Sequence, residues 1–211
     1  MERTRPPLPR ILLDIALKPR ITLHRGREGD WFDWRLALLF LVGLSAVEAA
    51  VWVATGQSRG GNPLKVLYMG DVVPERLQLM NAWSPLMQFP ALLGAKVGAD
   101  LFIMGVTHRF ARLSKAPRGT FKEWFAAYGY ILAILDLYFI FATGIAILPG
   151  TRALAVSHIL LAITLAWIML VYTWAYAEVY GLDDDKAYRN FFVFFLAIPV
   201  AFLAPAALLI P

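Results

Sequence analysis

"LLGAKVGADLFIMG", from Leu92 to Gly105, decides how the rest of the chain is read. It is apolar at most positions and reads as the middle of a membrane-crossing helix, yet it holds Lys96 and Asp100 one helical turn apart. Residues four apart share a helix face, so the two side chains can pair along their own helix. A charge at the bilayer centre costs about 2.5–3.5 kcal/mol or more. Such a stretch is stable in lipid only if both charges turn inward, into a bundle of other helices.

The chain supplies those helices. Of its 211 residues 59% are hydrophobic and 17% charged, with a mean hydropathy of +0.60, whereas charged residues in soluble domains run near 25%. Five stretches are apolar and long enough to cross about 30 Å of hydrocarbon. They are Leu36 to Ala54, Leu86 to Gly105, Trp124 to Leu148, Ala153 to Tyr176, and Phe191 to Ile210. The expected fold is all-α: a polytopic integral membrane protein built as a bundle of five transmembrane helices. Residues 1–35 form a basic segment and residues 36–211 the five-helix domain, which leaves little chain for a soluble catalytic domain.

Composition removes several function classes. There are no cysteines, so disulfides, thiolate metal sites, iron–sulfur clusters and thiol nucleophiles are excluded. His24, His108 and His158 are far apart and form no paired zinc motif. No Ser/His/Asp set or phosphate-binding loop is present, and "GLDDDK" from Gly181 to Lys186 lacks the spacing of a calcium loop. We therefore expect no enzyme, no cofactor and no metal. The net charge of +5 reads as loop charge that sets topology, not as a nucleic-acid footprint.

The placement of basic residues orients the spans. Fifteen lie on one side: eight in the N-terminal segment, then Arg109, Arg112, Lys115, Arg118, Lys122, Lys186 and Arg189. The other side has Arg59, Lys65, Arg76 and Arg152. Basic loops stay in the cytoplasm, which puts the N terminus there and the C terminus outside. In "PLPRILLDIALKPRI", Leu8, Ile11, Leu12 and Ile15 recur at helical spacing until Pro19 stops the pattern. That predicts a short amphipathic helix lying on the cytoplasmic leaflet. "PERLQLMNAW", from Pro74 to Trp83, predicts a second surface helix on the outer side.

The order of these parts resembles the Yip family of five-span membrane proteins, the Ypt-interacting proteins. The resemblance rests on "IALKPRITL" before the first span, on a small-residue-rich second span ending in a basic loop, and on "GTFKEWFAAYGYILAI" from Gly119 to Ile134. Tyr128, Gly129 and Tyr130 match the "YGY" that opens the third span of eukaryotic members. The proline that follows that motif, the "D-L-x-G-P" motif and the long cytosolic tail associated with Rab-type GTPases have no counterpart here. The resemblance covers about Ile15 to Leu209 and implies a membrane adaptor role, as in eukaryotic members, with no settled biochemical activity in prokaryotic ones; the short tail is of the prokaryotic type, which implies the bacterial inner membrane.

Depth along each span, at about 1.5 Å per residue, places Glu48, Lys96 and Asp136 at nearly one level, with Asp100 closer to the cytoplasm. We expect these four to form an intramembrane polar cluster. One lysine does not neutralise three carboxylates, so an acid is protonated or a further cation, water or ligand is present. Two roles remain open for the cluster: polar glue that fixes helix register, or a proton or ion site in a small transporter or channel. Gly129, Asp136 and Thr143 lie seven apart on the third span and predict a helix contact; Gly94 and Gly98 form a small-xxx-small pair. With Lys96 between them, this helix is expected to pack within the bundle, and self-association of the chain is the other use of such a motif. Arg10, Lys18, Arg20, Arg109, Arg112, Lys115, Arg118 and Lys122 are expected to contact anionic lipid headgroups or a protein partner. The leading functional reading is an interaction or organising module of the membrane.

Overall fold

A computed structural model describes residues 5–54, 84–146 and 151–193. Every regular element among them is a helix: α1 Leu8–Leu17, α2 Pro19–Glu28, α3 Trp34–Ala54, α4 Pro85–Leu113, α5 Phe121–Ala146 and α6 Thr151–Tyr180, with a further helical stretch, α7, over 184–193. Four of them, α3 to α6, are long and apolar enough to cross a membrane. Beyond residue 193 the expected fifth span lies outside the described residues, as do the surface helix expected over 74–83 and the loop that holds it.

α5 is the central helix. Residues 124–133 are buried without a break, because α3, α6, α4 and α1 all pack on it. Its closest neighbour is α3, at Gly129: a β-carbon there would lie 2.6 Å from Ala37 Cβ and 2.9 Å from Ala37 Cα. Only a glycine lets the two backbones meet so closely. α4 is peripheral. Asp100, Met104, Thr107 and Ala111 are buried on one stripe, and the opposite side is open.

The turns between α4 and α5, and between α6 and α7, close the same end of the bundle. Gly119, at φ +86°, has Tyr180 and the carbonyl of Val179 where a β-carbon would project, and Asn190 Nδ2 donates to Ser114 Oγ at 2.8 Å. α5 starts on a capping box: Thr120 N and Oγ1 donate to Glu123 Oε2 at 2.7 and 2.8 Å, and Glu123 N donates back to Thr120 Oγ1. α4 runs farther than the expected span, to Leu113, so Arg109 and Arg112 stand on its last turns and not in a loop. Its 29 residues reach about 43 Å, beyond the hydrocarbon thickness.

The basic N-terminal segment folds as two helices against this end. Pro19 ends α1 and opens α2, where the missing N–H has no helical partner to lose. Burial corrects the expected lipid-facing stripe: Ile11 and Ile15 are 1% and 0% exposed, packed into the bundle core with Leu23 of α2. Leu13, Leu17 and Ile21 face outward instead. Period alone identified an apolar side, but helices with apolar residues on two sides give no sign of which side meets protein.

Candidate functional site

Three helices bring ionisable residues to one ammonium. On α3 the inward stripe is Ala37, Leu41, Ser45 and Glu48; on α4 it includes Asp100, with Lys96 half-buried beside it; on α5 Asp136 is fully buried. Lys96 Nζ donates to Asp136 Oδ1 at 2.8 Å. It lies 3.2 Å from Glu48 Oε2 and 3.7 Å from Asp100 Oδ2. All four residues expected to cluster are thus brought together, with the cross-helix partner Asp136 nearer than the same-helix partner Asp100. An ammonium has three protons to donate, and three carboxylates surround it.

The acids outnumber their partners. Asp136 Oδ2, Asp100 Oδ2 and Glu48 Oε2 are buried without a hydrogen bond, although the last two are within ion-pair distance of Lys96. Tyr128 Oη donates a long bond, 3.4 Å, to Asp100 Oδ1 and stacks on Tyr172 with ring centroids 4.6 Å apart. Ser45 Oγ, one turn before Glu48 on the same face, is also buried without a partner. Chemically, the arrangement locks α3, α4 and α5 in one register and leaves a surplus of acceptor oxygens. Among the described residues no three metal-ligating side chains are grouped to hold an ion.

Toward the basic end, polar contacts continue to join α4 to its neighbours. Trp124 Nε1 donates to Thr107 Oγ1 at 2.9 Å, and Tyr176 Oη donates to the carbonyl of Thr107 at 3.1 Å. His108 Nδ1 and Tyr180 Oη are hydrogen-bonded at 2.6 Å. Thr107 and His108 of α4 thus each meet an aromatic polar tip of α5 or α6. The side chain of His158 is outside the described residues.

Two small-residue expectations separate. Gly129 and Asp136 do lie on the α5 contact face, while the side chain of Thr143 is outside the described residues. α4 packs against α3 and α5 on its Lys96 side, whereas Gly94 and Gly98 are exposed, with open space where a β-carbon would stand. The reason is angular. Two residues along a helix is about 200° of rotation, so glycines on either side of an inward Lys96 must face outward.

The eight basic residues expected to meet lipid or a partner are at the end that carries α1 and α2, but not all are free to do so. Arg20 pairs with Asp184 at 2.9 Å, Arg118 with Glu178 at 3.7 Å, and Arg10 with Asp14 at 2.9 Å within α1. Arg112 donates to the carbonyl of Gly119, and Lys122 lies over the Trp34 ring. Lys18, Arg109 and Lys115 are exposed. Glu178, on the last turn of α6, was not singled out in the sequence, yet it gathers His24, Arg27 and Arg118 within 3.1, 3.5 and 3.7 Å. Comparison with protein families, with curated proteins and with solved structures finds no match.

Proposed function

We propose that this chain is a non-enzymatic multi-pass membrane protein of the Yip type, an organising module of the bacterial inner membrane with its basic end in the cytoplasm. The observation that supports this most is the built platform at that end. α1 and α2 are packed by Ile11, Ile15 and Leu23, and α2 is fastened to α6 through Glu178, where Arg27 Nη1 also donates to the Glu178 carbonyl at 2.8 Å. A segment held this way presents a fixed surface. Outward it offers Leu13, Leu17 and Ile21 among Arg10, Lys18 and Arg20, which suits an anionic leaflet or a cytoplasmic protein with an acidic, apolar face.

Crosslinking from native membranes tests the role. The intact chain is expected to capture one defined partner or the leaflet itself, and Leu13→Ser with Leu17→Ser and Ile21→Ser is expected to abolish capture while leaving the bundle folded. Ile11→Asp is expected to do something different: to loosen α1 from α5 and expose it to protease, since a charge enters the core. Equal effects of the two changes would contradict the assignment of faces. Orientation is tested in a chain that has no cysteine of its own. Asp185→Cys is expected to resist a membrane-impermeant thiol reagent in intact cells and Ser58→Cys to react; the reverse would invert the topology.

A further inference from the structure

We propose that the cleft where α3 and α5 begin is a binding site for the headgroup of a phospholipid that carries a primary ammonium, of the phosphoethanolamine class. The inference rests on the membrane placement of α3 and α5, and not on the organising role. The two apolar spans start at Trp34 and Phe121, which sets the cleft at the boundary between hydrocarbon and headgroups, the level where tryptophan concentrates. Trp34 is 40% exposed there.

The cleft encloses about 430 Å³ and is lined by three bases, Arg5, Arg35 and Lys122, and three acids, Asp30, Asp33 and Glu123. Groups of both signs line it, as a zwitterion requires. Among the described residues no ion pair joins any of these bases to any of these acids. Other contacts hold them apart. Arg5 Nη2 donates to Tyr130 Oη at 2.7 Å, Asp33 Oδ1 accepts from the Arg35 backbone N–H at 2.8 Å, and Glu123 caps α5.

That leaves Arg35, Lys122 and Asp30 to meet a ligand. The guanidinium of Arg35 and the ammonium of Lys122 each stand 5.7 Å from the centre of the Trp34 ring. They are held beside one rigid indole by cation–π attraction, with donors that suit a phosphate. Asp30 is exposed, in the turn before α3 at φ 51°, and offers a carboxylate to the ammonium. The amine class follows from the ring. A quaternary ammonium is recognised on aromatic faces, and here two protein cations already occupy Trp34. A primary ammonium binds by donating N–H bonds to a carboxylate instead, which Asp30 supplies.

The test uses the purified full chain in detergent, offered equal amounts of phosphatidylethanolamine, phosphatidylcholine and phosphatidylglycerol, with retained lipid read by native mass spectrometry. The intact chain is expected to retain phosphatidylethanolamine severalfold over the other two. Arg35→Gln with Lys122→Gln is expected to abolish that retention. Asp30→Asn is expected to keep lipid bound and erase only the preference for the primary amine. All three side chains are exposed, so helicity and melting are expected to match the intact chain. Equal retention of the three lipids, a preference for phosphatidylglycerol or phosphatidylcholine, or a preference untouched by these substitutions would each overturn the site. A chain that stays soluble and folded without detergent would instead remove the membrane reading beneath it.

Discussion

Lys96→Met is expected to lower the stability of the bundle by on the order of 3–5 kcal/mol, the usual effect of removing one partner from a buried ion pair. The lysine side chain is 22% exposed and Asp136, its nearest partner, 0%. Without the ammonium, three carboxyl groups face one another among α3, α4 and α5 with no cation between them. The change conserves length and apolar bulk, so packing loss contributes little. Adding Asp136→Asn is expected to restore a large part of the loss, more than Asp100→Asn does, because Asp136 is at 2.8 Å and Asp100 at 3.7 Å. Reversible denaturation in detergent, read as a double-mutant cycle, checks both the size and the order. A rescue that is larger through Asp100 would mean that the pair runs along α4 and not across the bundle.

Gly129→Val is expected to be comparably severe. Overfilling a packed site costs about 1–3 kcal/mol when neighbours can adjust. Here the first atoms met are Ala37 Cβ at 2.6 Å, Ala37 Cα at 2.9 Å and Ala37 O at 3.1 Å, two of them backbone. The helices must separate, which also pulls Glu48 of α3 away from Asp136 of α5 and so strains the Lys96 cluster. Gly129→Ala is expected to be milder, and Ala37→Gly is expected to recover part of its cost by removing the nearest carbon. Thermal melting of the four chains measures this. No loss in Gly129→Val would show that α3 and α5 are not in contact at this position.

What was readable from the sequence follows from which quantities a sequence carries. Hydropathy over some twenty residues is a one-dimensional property, so the cores of α3, α4, α5 and α6 could be located, with errors confined to their ends. Those ends slipped where a helix is longer than the hydrocarbon is thick: α4 runs 29 residues, to Leu113, and so carries Arg109 and Arg112 in helical geometry. The four-residue cluster was readable for an energetic reason: isolated charges at the midplane are too costly to leave unpartnered, and helix rise fixes their depth. Direction around a helix axis was harder. The cost of a charge in lipid points Lys96 inward, but a small-xxx-small motif does not say which way its glycines face, and Gly94 and Gly98, two residues to either side of Lys96, fall on the opposite face. Ile11 and Ile15 were assigned to lipid because periodicity marks an apolar face without marking its partner. α2 escaped notice because its apolar residues are few, Leu23 being the main one buried, and its stability comes from docking on α6. Glu178 is a tertiary hub with partners up to 154 residues away, a relation that no local pattern encodes.

The central claim is that one ammonium joins three membrane helices. Solid-state nuclear magnetic resonance of the full chain in lipid bilayers, with nitrogen-labelled lysine and carbon-labelled acidic residues, reads it directly. The side-chain nitrogen of Lys96 is expected to show through-space contacts to the carboxyl carbons of Asp136 and Glu48, strongest to Asp136, and these are expected to vanish in Lys96→Met. Contact to Asp100 alone, or to water and lipid headgroups without either cross-helix carboxyl, would contradict the claim.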